Sequence, residues 1–232
     1  SVAAIDKFRL AVPKDATLEN EYVLRANPIL DQWNYTFGFS IKRLINKGYA
    51  NISFTRNMYD NSTDRFQEDV PEEDAQTLKV RSQEIENKIR FDVNKYVLGW
   101  KFSYGLVAQY VKYNANIYNL IGNELQDTLG NVIVPRREIQ FNSSIEFFKY
   151  GAFAQTSKRF IYEKLLLSAG VRTDGNSFTD NGNNLLKTIS PRFSYSYRLT
   201  STLDITGSIG NYFKIPTYTN LGYRDNTGVL VN

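Results

Sequence analysis

Apolar and polar residues alternate one for one along most of this 232-residue chain. In Ile189-Ser190-Pro191-Arg192-Phe193-Ser194-Tyr195-Ser196-Tyr197-Arg198-Leu199 the odd positions are apolar or aromatic and the even ones hydroxyl or cationic. A period of two sends these two sets to opposite faces of a strand. From Asp31 to Ile45 the same rule puts Trp33, Tyr35, Phe37, Phe39 and Ile41 on one face and Gln32, Asn34, Thr36, Ser40 and Lys42 on the other. Asn46-Lys47-Gly48 then predicts a tight turn, with Gly48 supplying a positive φ. A partner strand follows, with Ala50, Ile52, Phe54 and Met58 on one side.

Further along, the pattern predicts alternating short and long connections. From about Asn61 to Arg81 the alternation stops and acidic residues accumulate around Pro71, which reads as a long exposed loop. The next strand sets Ile85, Ile89, Phe91 and Val93 against Glu84, Glu86, Lys88, Arg90 and Asp92. Charge at successive positions of one face is costly in a dry core and tolerable against a water-filled lumen. After a short link at Leu98-Gly99, apolar parity starts on Trp100, Phe102, Tyr104 and Leu106 and changes to Val111, Tyr113, Ala115 and Ile117. That change predicts a β-bulge at Gln109-Tyr110.

Asn119 to Arg137 reads as a second long loop turning at Asp127–Asn131, followed by a strand marked by Ile139, Phe141, Ile145, Phe147 and Phe153. Lys158-Arg159-Phe160 marks the next tight end, then a strand through Leu165–Val171, a Gly/Asn-rich loop from Asp174, the Pro191 strand, a short turn at Thr200-Ser201 and a strand through Leu203, Ile205 and Ile209. About nine strands are legible, with a tenth expected at Phe8 to Val12. Brief turns at one end, long loops at the other and long strands predict an all-β fold: the wall of an antiparallel transmembrane β-barrel.

Composition agrees with that wall. Aromatic residues make up 14% of the chain, with 16 Tyr and 15 Phe, suiting girdles at the edges of a bilayer. A Tyr-rich soluble β-sandwich or surface adhesin has the same composition, but the charged face of Glu84 to Asp92 argues against its dry interior. No apolar run is long enough for a transmembrane helix. A net charge of +4 is spread along the chain without a basic arm, so no nucleic-acid partner is expected.

Chemistry is sparse. With neither His nor Cys, the chain lacks the parts of a His-based triad, a thiolate site or a disulfide. Carboxylate pairs such as Glu72-Glu73 or Asp69-Asp74 lie in the acidic stretch, where a solvated face explains them better than glycoside chemistry. Asp174, Asn176, Asp180 and Asn184 offer oxygen ligands but not the EF-hand spacing. No catalytic, cofactor or metal residue is assigned. Ligand contacts are expected from the long loops, with Tyr118, Asn119, Phe178 and Asn183 as candidates.

Three segments carry a family resemblance: Gly170-Val171-Arg172-Thr173-Asp174-Gly175-Asn176-Ser177-Phe178, then Leu186 to Arg192 with its Ser-Pro-Arg, then Ser208-Ile209-Gly210-Asn211-Tyr212-Phe213-Lys214-Ile215-Pro216-Thr217-Tyr218. Together with Leu221 to Asn226 they resemble the later barrel strands of TonB-dependent outer-membrane receptors of the Bacteroidetes type. The motifs cover roughly residues 151–232; the rest agrees by pattern. The resemblance implies a barrel of about 22 strands blocked by an N-terminal plug. It implies energised import of a nutrient (an iron chelate, cobalamin, a glycan or a peptide) with the TonB complex, outer-membrane lipid and the nutrient as partners. It also admits a surface lipoprotein as a lid, and Lys88, Arg90, Glu84 and Glu86, facing the lumen, are candidates to brace the plug through ion pairs. Residues 1–232 are expected to form a partial barrel domain, because nothing before Asp31 reads as a plug or TonB box and nothing near Leu230-Val231-Asn232 reads as a closing strand. An unplugged porin-like channel is the alternative within membranes.

Overall fold

The computed structural model describes residues 2–8, 17–19, 27–67, 75–225 and 227–231. Nine strands form one antiparallel sheet: β1 (Val2–Phe8), β2 (Ile29–Ile45), β3 (Gly48–Phe66), β4 (Gln76–Val97), β5 (Trp100–Gly122), β8 (Arg137–Phe160), β9 (Leu165–Asn176), β10 (Ser190–Arg198) and β11 (Asp204–Gly210). Each strand pairs with its neighbour in the chain. The sole interruption is a small hairpin of β6 (Leu125–Gln126) and β7 (Val132–Val134) that rises between β5 and β8. Among the described residues no helix is long and apolar enough to cross a membrane.

The first described strand is Val2–Phe8, paired from Val2↔Thr36 to Phe8↔Leu30; the strand expected from Phe8 to Val12 lies, at residues 9–12, outside those described. The hairpins close at one end of the sheet through two to five residues. Leu98 and Gly99 both take positive φ (51° and 77°), the mirror-image turn that matches strand twist. At Asn46-Lys47 the positive φ (56°) falls on Lys47 and not on Gly48. Gly48 is needed for closeness instead: a Cβ there would collide with the Asn94 carbonyl oxygen across the β3–β4 pair. The turn expected at Lys158-Arg159-Phe160 lies further on, at Ile161–Lys164, because β8 keeps pairing through Phe160↔Leu165.

At the other end the strands run further than alternation predicts. Asn61–Phe66 and Gln76–Arg81, read as loop, are strand, paired from Asn61↔Ser82 to Phe66↔Gln76. Polar rungs replace the apolar ones: Arg81 Nη2 donates to both carboxylate oxygens of Asp64 (2.9 and 2.7 Å), Gln83 donates to Asp60 (3.2 Å) and Gln76 to Asp64 (2.9 Å). The acidic residues Glu68, Asp69, Glu72, Glu73 and Asp74 lie outside the described residues. Likewise β5 continues through Gly122 into the segment read as the second long loop. The Asp127–Asn131 turn stands where expected, with the Asp127 carboxylate accepting from Leu129 N–H, Asn131 N–H and Asn131 Nδ2 at 2.8–2.9 Å.

No bulge occurs at Gln109-Tyr110. Strand β5 pairs without a slip from Trp100 to Leu120, against β8 on one side, and with β4 from Trp100 to Asn119 on the other. The parity change is therefore an exchange of which face is apolar. Even residues of β5 share a face with odd residues of β2 and β4 and even residues of β3 and β8. Near the short turns this face is a continuous exposed belt containing Ile41, Phe39, Ile52, Ile89, Phe91, Phe102, Tyr104 and Leu106. A patch of this extent is a liability in water and a solvated surface in lipid.

The belt ends at the Tyr110–Phe148 ring pair (centroids 5.2 Å apart). Beyond it the same face reads Lys112–Glu146 (2.6 Å), Asn114–Ser144 (2.8 Å) and Asn116–Asn142 (2.5 Å). Trp100 and Phe160, edge to face at 6.2 Å, mark its lower limit. From Trp100 to Tyr110 the face advances ten residues, which at about 3.3 Å each and a tilt of ~40° spans ~25 Å, the height of a barrel's apolar band.

The opposite face is the inner one, because long side chains of β4 and β8 converge on it above the intervening β5. Lys149 reaches Glu86 (3.3 Å) and the Arg90 guanidinium lies over the Phe153 ring (5.0 Å). Beside the lipid belt this inner face is polar, as the charged run of β4 predicts. Past the belt it turns apolar, and there the molecule has its one buried hydrophobic cluster among the described residues: Val111, Tyr113, Ala115, Ile145 and Phe147, covered by Tyr218 and Leu221.

Candidate functional site

The chain after β11 crosses the inner face at the outer end of the wall. Its short helix, Tyr218–Leu221, lays Tyr218 and Leu221 onto the apolar cluster, and Phe178 from the β9–β10 loop and Ile215 pack at its margin. Tyr218 sits 5.9 Å from Phe147 and 6.4 Å from Tyr113, ring to ring. Its hydroxyl donates to Glu86 and accepts from Lys149 Nζ (2.5 Å). Burial first, and the Glu86 carboxylate second, push the Tyr218 phenol far above its ordinary range, so it stays a donor at every physiological pH. Val111, Tyr113 and Phe147, apolar-parity residues in the sequence, are the seat of this strap.

The β9–β10 loop is built on Asn176. Its side-chain oxygen accepts from Phe178 N–H (2.9 Å), Thr179 N–H (2.8 Å) and the Thr179 hydroxyl (3.1 Å), an Asx turn that folds the loop back over the strands. Thr188, in the 3₁₀ turn Leu185–Thr188, donates to the Asp174 carbonyl (2.6 Å) and ties the returning limb to β9. Arg172 holds Asp174 through two bonds of 2.6 and 2.7 Å.

Between this loop, the strap and the inner face lies a cleft of about 700 Å³. Strands β4, β5, β8, β9 and β10 supply its floor, the Asn176–Thr188 loop one wall and Phe213–Pro216 the other. A second cleft of about 360 Å³ continues it toward the short turns, past Arg90, Arg172, Arg192 and Tyr212. Arg192 lies over the Tyr212 ring at 4.5 Å.

The four residues expected to contact ligand do not converge. Tyr118 lies on the outward face near the end of β5, held by Arg136 (2.5 Å) and Glu138 (3.3 Å). Asn119 follows it on the inner parity, opposite Leu78 and Ile139. The Phe178 ring packs against Phe147 at 5.2 Å. Asn183 accepts from the Tyr150 hydroxyl (2.6 Å) on the exposed rim of the loop. Of the four charged residues assigned to the lumen, Glu86 and Arg90 are engaged within the chain, by Tyr218 and Lys149 and by Asp92 (3.2 Å) respectively. Sequence reading passed over Lys149, Arg172, Arg192 and Lys214 as cleft residues. Arg172 and Arg192 stand at polar-parity positions, Lys149 at a position of the parity read as apolar and Lys214 just past a strand, and only pairing register shows that they face one space.

An antiparallel wall with an apolar belt of bilayer height outside, a polar lining inside and long loops at one end defines an outer-membrane β-barrel. Residues 8–231 match the family model described as "TonB dependent receptor-like, beta-barrel", and the chain belongs to that family. No curated protein matches it. Six solved chains do; one, titled "Copper transporter OprC", superposes with a TM-score of 0.54 at 15% identity, over 83% of this chain and 31% of that one. That likeness shows the fold. The chain spans under a third of that structure's length.

Proposed function

We propose that this wall is part of a larger TonB-dependent receptor of the bacterial outer membrane that imports a nutrient by plug-gated, energised uptake. The observation that carries the reading is the exchange of apolar faces at the Tyr110–Phe148 layer. A wall that is greasy outside for one bilayer height, then greasy inside beneath an infolded strap, suits a barrel that stands in lipid and narrows its own outer mouth. The family match and the sequential nine-stranded sheet support it. In this reading residues 1–232 are one partial barrel domain, and the plug, the TonB box and the closing strands come from the rest of the receptor. The TonB complex, lipid and the nutrient are its partners, and a surface lipoprotein fits as a lid over the long loops. Iron chelates, cobalamin, glycans and peptides are the cargo classes. Asn119 and Asn183, at the outer end, are the ligand contacts of the four candidates, while Tyr118 and Phe178 shape the strand end and loop that carry them.

The test is liposome swelling in arabinose with the native full-length protein, together with its intact mass. A plugged receptor gives a mass several hundred residues larger and no swelling until the plug is deleted. Free swelling of the undeleted protein would replace the receptor reading by the porin-like one.

A further inference from the structure

The 700 Å³ cleft at the outer end of the inner face is lined by Lys88, Lys149, Arg172, Lys187, Arg192 and Lys214, against two acids, Asp174 and Asp180. Those acids do not balance the cations. Asp174 is taken up by Arg172 in the two-bonded pair already described. Lys149 is engaged by Glu86 and Tyr218 from the cleft's edge. Lys88, Lys187 and Lys214 have no acidic partner among the described residues, and all three are exposed to the open cleft.

They come from three separate parts of the fold: strand β4, the 3₁₀ turn before β10, and the strap. Like charges gathered from three elements in one recess repel, and the recess focuses their field. Gln109, Asn176 and Asn181 add neutral hydrogen-bonding groups, and Phe213 with Pro216 adds an apolar edge. Both walls are outer loop and strap, so in the receptor reading the recess faces the side from which cargo arrives.

We propose that this cleft is an anion-binding subsite for the imported ligand, and that the ligand is a small molecule bearing two or more carboxylate or phosphate groups. Lys88, Lys187 and Lys214 are the residues that neutralise it. The inference rests on the receptor reading above and narrows its cargo to multiply charged anions.

The test is calorimetric titration of the native full-length receptor in detergent with benzene-1,3,5-tricarboxylate, inorganic pyrophosphate and, as a neutral control, maltotriose. At least one anion should bind and maltotriose should not, and the anion's affinity should fall with added salt. The triple variant Lys88→Gln/Lys187→Gln/Lys214→Gln should weaken that binding about tenfold or more. The matching Lys→Arg variant should retain it, and heat-modifiable gel migration shows whether each variant is a folded barrel. Binding of the tricarboxylate alone identifies a carboxylate ligand, and of pyrophosphate alone a phosphate ligand. Binding of neither, or equal binding by the folded Gln variant, overturns the proposal. Its failure is separable from that of the receptor reading: absent binding in a protein that does not swell removes only the anionic cargo, whereas free swelling removes the receptor and leaves the titration to report on the cleft.

Discussion

Strands β5 and β8 have two halves that obey opposite rules. In the half near the short turns the outward residue is apolar and the inward one mostly polar: Leu106 is 60% exposed on the belt, while Ser103 and Gln109 lie on the inward parity. In the outer half Val111 is fully buried inward and Lys112 pairs with Glu146 outward. The backbone does not change between them; pairing passes through Gln109 and Tyr110 without a slip. What changes is the medium on each side. In the reading proposed above, the outer medium below Tyr110 is lipid and the inner one wet. Above it the outside is water and the inside is the protein's own strap. Amphipathic parity in a long barrel strand therefore reports local surroundings, and a reversal of parity need not mark a backbone irregularity.

The comparison is sharpest where single changes should have unequal effects in the two halves. Phe147→Ala removes the ring under Tyr218 and Phe178 and leaves a cavity in the outer-half cluster, a loss of about 3–5 kcal/mol. Urea unfolding of the full-length protein reads it, and easier proteolysis after Lys214 should report a loosened strap. Leu106→Arg places a cation in the middle of the belt and should cost about 2–4 kcal/mol in vesicle-folding equilibria. Asn114→Arg, on the same face four rungs higher, should leave that equilibrium unchanged; equal losses at both would break the assignment of lipid and water to the two halves.

Next in size, Tyr218→Phe keeps the ring on the cluster but removes the donor to Glu86, which Lys149 still neutralises, so a cost of about 1–2 kcal/mol is expected with the cluster intact. Smallest is Lys112→Gln. Its partner Glu146 is exposed on the water side, and the thermal midpoint should not move measurably.

Asp127 sharpens the picture at the outermost point. Bonds from the Asn131 side chain, and then from backbone N–H groups, hold its carboxyl below the ordinary carboxylate range. The folded turn thus favours the charged form. The turn is fully held above the ordinary range and loosens as pH falls through the lowered value. Amide exchange at Leu129 and Asn131 should accelerate below about pH 4, with no matching change at Val111 or Tyr113.

Legibility in the sequence followed the same division. Where lipid and water face each other across the wall, as from Trp33 to Ile41 or Phe193 to Tyr197, period-two alternation placed strands and faces correctly. Beyond the belt at Asn61–Phe66 and Gln76–Arg81 both faces meet polar surroundings, so alternation vanished while pairing went on, and strands were read as loop. At Val111 to Ile117 the alternation survived but pointed inward, because a strap a hundred residues later in the chain covers it. No window of local sequence contains that partner. The basic cleft was hidden for a related reason. Lys88, Lys187 and Lys214 are unremarkable one at a time, and only the register of five strands and the path of a loop bring them to one recess.

The order of the sheet is the order of the chain, strand after strand, and every hairpin below the bilayer closes through two to five residues. The entropy of closing such loops is small, and no pairing has to wait for a distant segment to arrive. The wall can therefore assemble as a zipper, each new strand finding its template already laid down beside it. The strap is the exception: Tyr218 meets Glu86 across 132 positions of sequence, so it docks last, and the mouth of the barrel is finished only after its staves are in place.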